Sequence, residues 1–132
     1  MSALIRKSTI RNIILTSFFE FYFPETAFHK ILKYKKYIIE KAKMSDEEFL
    51  ILIIRLFSRI TLISKKNLIE YREQARRIMS LIDDEDTIFI ASALYLGSDA
   101  VIWTDDADFD KQNQIATWKT YNIIQKFQEL PE

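Results

Sequence analysis

Four aspartates fall within the seven residues TDDADFD, Thr104 to Asp110, directly behind the apolar run Ala100-Val101-Ile102-Trp103. Carboxylates in such a pattern either sit in water as turn residues or gather as oxygen ligands of a metal. When two or more are forced together they repel, and each raises the other's pKa unless a divalent cation neutralises them. A donor set of oxygen alone, in a chain with no cysteine and a single histidine, suits magnesium or manganese better than zinc. A second group of acids, Asp83 to Asp86, stands about a helix length earlier. Both groups also have a plain reading, as helix-terminal charges and exposed turn residues.

What would bring the two groups together is the chain between them. Asp83 to Asp86 open a helix, DTIFIASALYLG, whose positive N-terminal end favours acids and whose Gly97 supplies a left-handed stop. Such a helix spans about 15 Å for ten residues and hands the chain to the buried strand Ala100 to Trp103. If strand and helix run antiparallel, Asp86 and Asp106 return to one edge. In open parallel α/β sheets that edge, at the carboxyl ends of strands, is where ligands bind.

The remaining elements are set by caps and periodicity, since one glycine and two prolines leave little other punctuation. Ser8 can cap a short helix, and FFEFYF from Phe18 reads as a buried strand closed by Pro24. A single amphipathic helix is expected from Glu25 to about Ala42. Ser45 and Glu48 form a capping-box pattern ahead of FLILIIRLF. Arg59 to Ile63 reads as a strand, Ser64 as the cap of a helix running to about Leu81, Ile115 to Trp118 as a strand, and Thr120 to Leu130 as a helix. Strands alternating with helices predict one α/β domain over residues 1–132, with a parallel sheet covered on both faces.

Composition narrows the function classes. A hydrophobic fraction of 48% excludes a disordered chain, and nineteen basic against nineteen acidic residues give no global field for nucleic acid. The longest apolar run, FLILII, stops at Arg55, far too short for a bilayer, and the N-terminus lacks a signal peptide's core, so a cytoplasmic location is expected. Lysines 30, 33, 35, 36, 41 and 43 could hold a nucleic-acid backbone or merely solvate a helix face. His29 sits between the apolar stripe and those lysines, a surface or half-buried position rather than a catalytic one. A single glycine rules out a glycine-rich phosphate loop.

The pattern D-x-x-F-x-A-x-A-L, Asp86 through Leu94, followed by an apolar strand and W-T-x-D-x-D-F from Trp103 to Phe109, resembles the C-terminal half of a PIN domain. The similarity extends back to FYFPE and the helix after it. The resemblance implies a three-layer α/β/α fold with a short parallel sheet of about four strands. It implies a magnesium- or manganese-dependent endoribonuclease acting on RNA, of the kind that includes VapC-type toxins held by antitoxin proteins. By it, Asp86 and Asp106 match the two acids of the C-terminal half and Thr104 the small hydroxyl residue beside the second. Asp83, Asp105, Asp108 and Asp110 become outer-shell or substitute ligands.

The family's opening strand, ending in D-T-N, has no counterpart here, because Met1 to Ile5 resemble the segment behind that motif. The central strand is therefore expected to be missing, with flanking strands closing the gap or a second copy of the chain filling it. A second family acid lies where this chain has His29 and Lys30, with Glu25 the nearest carboxylate. Weak cleavage is expected of the chain as it stands, and a PIN fold that binds RNA or a protein without cutting is the alternative.

Overall fold

Capping residues and apolar spacing account for most of the elements seen in a computed structural model of the chain, which describes residues 9–79 and 84–129. Expectations for Met1 to Ser8, Ser80 to Asp83 and Leu130 lie outside the described residues. The chain divides into two compact units, Met1–Leu62 and Ile63–Glu132.

In the first unit, helix α1 (Thr9–Thr16) buries Ile13 and Ile14 and leads to strand β1 (Phe21–Pro24). Pro24 ends the strand and, fixed at φ −65°, starts helix α2 (Glu25–Lys33). Helix α3 (Lys35–Ala42) begins after Tyr34 leaves helical geometry. The single helix expected over this stretch is thus two. Its buried stripe thins to Ile31 and Ile38, two turns apart, while Lys33, Lys35 and Lys36 between them offer nothing apolar to hold the turn at Tyr34. Helix α4 (Asp46–Phe57) carries the full capping box: Glu48 N–H donates to Ser45 Oγ and Ser45 N–H to Glu48 Oε1, each at 3.1 Å. Its core face is Phe49, Leu52, Ile53 and Leu56, and Phe57 meets the rings of Phe23 and Phe28 edge-on. Strand β2 (Ile60–Ile63) pairs with β1.

The second unit is organised around one helix. The helix expected from Ser64 to about Leu81 is a short α5 (Lys65–Leu68), a 3-10 turn (Ile69–Tyr71) and α6 (Arg72–Ile78). Ser64 occupies the cap position without a side-chain bond to the helix; its carbonyl instead accepts Asn67 N–H at 3.1 Å. The tight turn lets Tyr71 pack edge-on against Tyr95 while Leu68, Ala75 and Met79 stay in the core. Helix α7 (Asp84–Leu96) packs against α5, the 3-10 turn, α6 and β3 (Ile102–Trp103). Ile90, Ala91, Ser92 and Ala93 are consecutive and all buried, so the helix is enveloped rather than one-sided. Ser92 satisfies its hydroxyl by donating to Ile88 C=O at 2.8 Å.

Behind β3 come a 3-10 turn (Ala107–Lys111), strand β4 (Thr117–Trp118) and helix α8 (Thr120–Glu129). Strands β3 and β4 are parallel, with Ile102 opposite Thr117 and Trp103 opposite Trp118. Four strands are present among the described residues, as expected, but they form two pairs, β1 with β2 and β3 with β4. The chain is therefore mixed α/β, mostly helical with short strands.

Gly97 ends α7 at φ +107°, its N–H bonded to Ala93 C=O and its C=O to Ala100 N–H. Nothing lies within 4 Å of a Cβ placed there. Gly97→Ala therefore isolates the backbone cost, and we expect a loss of about 1–2 kcal/mol in urea unfolding. An unchanged midpoint and slope would show that the stop needs no left-handed residue.

Candidate metal centre

Residues 103–110 leave the end of β3 as a chain of local side-chain to backbone bonds. Thr104 N–H donates to Trp118 C=O at 3.0 Å, the last rung of the parallel pair. Thr104 Oγ1 then accepts Asp106 N–H at 3.1 Å, and Asp106 Oδ1 accepts Asp108 N–H at 2.9 Å. Such bonds are why Thr and Asp favour turns: each side chain replaces a backbone partner two residues on. The 3-10 turn beyond them drives Phe109 into the core at 4% exposure, which anchors the acidic stretch from below.

Of the acids expected to matter, the structure brings Asp86, Asp106 and Asp108 together. One carboxylate oxygen from each lies within 4.8 Å of the others. Asp86 comes from the first turn of α7, whose N-terminal end approaches the loop after β3. Donors around one magnesium, at about 2.1 Å each, stand about 3 to 4.2 Å apart, so small side-chain rotations close these three onto a cation. Asp86 and Asp108 are half-buried and Asp106 is exposed, leaving one side open to a ligand from solvent. Asp108 also accepts from Lys111 Nζ at 3.0 Å, so a cation there would share this carboxylate with an ammonium.

Asp105 stands apart from that group. Its Oδ1 accepts Thr120 N–H at 2.8 Å and its Oδ2 accepts Thr120 Oγ1–H at 2.6 Å. Thr120 Oγ1 in turn accepts Trp103 Nε1–H at 3.0 Å, so Asp105 joins the strand end to the first residue of α8. The hydroxyl of Thr120, then its N–H, holds the Asp105 carboxyl below its ordinary value; partial burial opposes this and Lys119 adds to it. The same helix start is closed a second time, Lys119 N–H donating to Asn122 Oδ1 at 2.9 Å. Asp110 is engaged by Lys119 Nζ at 3.1 Å. Glu25 belongs to the first unit, on the first turn of α2, where His29 Nε2 lies 3.8 Å away on the surface. Asp83 lies outside the described residues.

Sequence reasoning misses Gln112, yet this residue fastens the loop that carries the acids. Its Nε2 donates to Phe109 C=O and Ile115 C=O, and its Oε1 accepts the N–H groups of Gln114 and Ile115. No motif announces it; the only signal is a long amide placed between a buried Phe and the start of a strand.

The Asp105 clamp has a pH signature. Its carboxyl is lower in the folded chain than the unfolded value of about 3.9, so its contribution is fully present above that value and disappears as pH falls through the folded one. Asp105→Asn, which keeps one oxygen acceptor for Thr120 N–H and loses the charge, should lower stability by about 0.5 kcal/mol at neutral pH. In chemical denaturation the gap between wild type and variant should be constant above about pH 5 and close below it. A gap that persists undiminished in acid would remove the charged clamp.

Among curated proteins and among solved structures, nothing matches the chain. A family model does, however, described as "PIN domain" and aligned with residues 1–128. That match spans nearly the whole chain, including both the strand end that carries Asp106 and the helix start that carries Asp86, and the chain belongs to the PIN domain family.

Proposed function

We propose that this protein is a divalent-metal-dependent endoribonuclease whose cation is held by Asp86, Asp106 and Asp108. The observation that carries the reading is the convergence of these three carboxylates within 4.8 Å at the end of a parallel strand. Membership of the PIN family supports nuclease chemistry and RNA as the substrate class. Magnesium or manganese bound there supplies Lewis-acid stabilisation of the charge that builds on phosphate oxygens and activates water.

The chain's own groups have distinct tasks in this reading. Asp86, Asp106 and Asp108 supply the negative charge that recruits the ion. Thr104 sets the direction of Asp106 by accepting its N–H, and the Asp105–Thr120–Trp103 relay holds the loop against the end of the strand. These are positioning roles, since the bonds run to backbone and to one another rather than to the clustered carboxylates. The narrower version, a toxin countered by an antitoxin protein in the cytoplasm, rests on resemblance to that branch of the family. No helix among the described residues is long and apolar enough to cross a membrane.

Lys111 favours a second reading, in which the fold binds RNA without cutting it. Its ammonium already neutralises part of the charge on Asp108, which weakens the pull on a divalent ion. The two readings separate experimentally. Calorimetric titration of manganese should give binding heat with wild type and none with Asp106→Asn; identical heats would remove the site. Single-stranded RNA should be cut in manganese and spared in chelator, with Asp86→Asn and Asp106→Asn each lowering the rate about a hundredfold or more, the scale of a displaced catalytic group. Metal binding without cutting would select the binding module.

Lys111 also gives a prediction of opposite sign. Lys111→Met removes the competing charge and should tighten manganese binding about two- to fivefold, as expected for losing one exposed ion-pair partner worth about 0.5–1 kcal/mol. Weaker binding in this variant would mean that Lys111 supports the site rather than opposing it.

A further inference from the structure

The stretch KYKKYIIEKAK, Lys33 to Lys43, sets five lysines and two tyrosines against a single acid, Glu40. The break at Tyr34 decides how these residues are displayed. Tyr34 closes α2 and opens α3 at φ −95° and ψ 16°. Its N–H still donates to Lys30 C=O at 3.0 Å, and its C=O still accepts Ile38 N–H at 3.1 Å, so the helical phase carries through the break. Ile31 and Ile38 go to the core, while Tyr34 and Tyr37 stay outside, each 56% exposed.

Helical spacing sorts the exposed side chains into two neighbouring lines. Tyr34, Tyr37 and Lys41 follow one another at i, i+3 and i+7; Lys33, Lys36 and Glu40 do the same beside them, with Lys43 just past the helix end. All seven are exposed. Lys35 is turned elsewhere: its Nζ lies 3.9 Å from Asp46 Oδ1 and 5.9 Å from the centroid of the Phe49 ring, so it joins α3 to α4. A face that only had to stay solvated would need the lysines and not the rings. A tyrosine ring is a platform on which any base stacks, and an ammonium is a point charge for phosphate. Single-stranded RNA alternates the same two chemistries. Rings one helical turn apart, about 5–6 Å between Cβ atoms, can each take one of two neighbouring bases. An acidic protein segment would match the charge but offers no bases to the rings.

We propose that the outer face of α3, with Lys33 and Tyr34 at its entrance, is a docking surface for single-stranded RNA, in which Tyr34 and Tyr37 stack bases while Lys33, Lys36, Lys41 and Lys43 hold phosphates. RNA as the partner rests on the proposed function. None of these residues belongs to the aspartate cluster, so gripping the strand is separable from cutting it.

The test uses the full chain in chelator, where cutting is silent, and a fluorescein-labelled oligouridylate. Tyr34→Ala and Tyr37→Ala should each bind it about tenfold more weakly with an unchanged salt slope, the scale of one lost base stack, whereas Tyr37→Phe should bind as wild type does. Lys36→Gln and Lys41→Gln should weaken binding and lower the log–log salt slope by about 0.7 each, one phosphate contact on a single strand. These positions are exposed, and unchanged melting temperatures would confirm that the variants fold. An abasic oligomer of the same length, which keeps phosphates without bases, should bind wild type more weakly and not distinguish it from Tyr37→Ala. Weakening by the lysine variants but not by the tyrosine variants would overturn the stacking surface. So would equal affinity for polyglutamate of the same length, which would mark a site for an acidic protein, or an oligouridylate affinity that none of these variants changes. The ribonuclease reading fails separately: RNA gripped by the tyrosines in chelator yet uncut in manganese would leave this surface standing and remove the cutting.

Discussion

One carboxylate oxygen from each of Asp86, Asp106 and Asp108 lies within 4.8 Å of the others, and the packing of the second unit is what brings like charges so close. Their closeness is set by fixed geometry. Asp86 is held by a helix that is buried on nearly every side, so moving it means moving α7 out of its core. Asp106 and Asp108 are held by a turn in which each donates its own N–H to the side chain two residues back, and by Phe109 packed beneath them. Lys111 pairs with Asp108 of the cluster, and Lys119 pairs with Asp110 at the end of the same turn. Such preorganisation matters for chemistry, because donors already in place require no reorganisation when a ligand arrives.

The same arrangement explains why neighbouring aspartates do different work. Asp105 and Asp106 are adjacent in sequence, and extended backbone at a strand end points successive side chains to opposite sides. Asp105 accordingly reaches Thr120 and closes the start of α8, while Asp106 faces the oxygens of Asp86 and Asp108. Both oxygens of Asp105 are engaged by Thr120, whereas Asp106 gives Oδ1 to Asp108 N–H and lies among the clustered carboxylates. Sequence alone groups Asp105 with Asp106 and Asp86 as a ligand, because the partner that claims it lies fifteen residues on and no short-range pattern marks the pairing.

Legibility tracks the range of the interaction. The capping box at Ser45 and Glu48 and the left-handed stop at Gly97 are local events whose participants lie within four residues, and both can be read directly. The approach of Asp86 to the acidic loop can be argued from helix length and strand direction. The break at Tyr34 is hidden because the apolar stripe keeps its phase across it, Ile31 and Ile38 being two turns apart on one face. The division of the strands into two pairs is equally hidden. Strand identity depends on local preference, whereas pairing depends on which backbones meet. Gln112 shows the limit most plainly, since its four bonds are set by the shape of the loop and by nothing in its neighbours' types.

Charge in this chain is neutral in sum and segregated in place. Nineteen acids offset nineteen bases, yet the second unit gathers Asp86, Asp106 and Asp108 while the first gathers Arg11, Lys43 and Arg55 around a cavity. Net charge therefore says nothing about a nucleic-acid partner, and the composition argument against one applies only to a uniform field. In the proposed reading, a polyanion cut at a cation site would meet two opposing demands: carboxylates must be concentrated to hold the ion, and those carboxylates repel the substrate until it is bound. Lys111 sets an ammonium 3.0 Å from Asp108, directly on a carboxylate of the second unit's cluster, and in the proposed reading it limits how much of that negative charge a divalent ion could use.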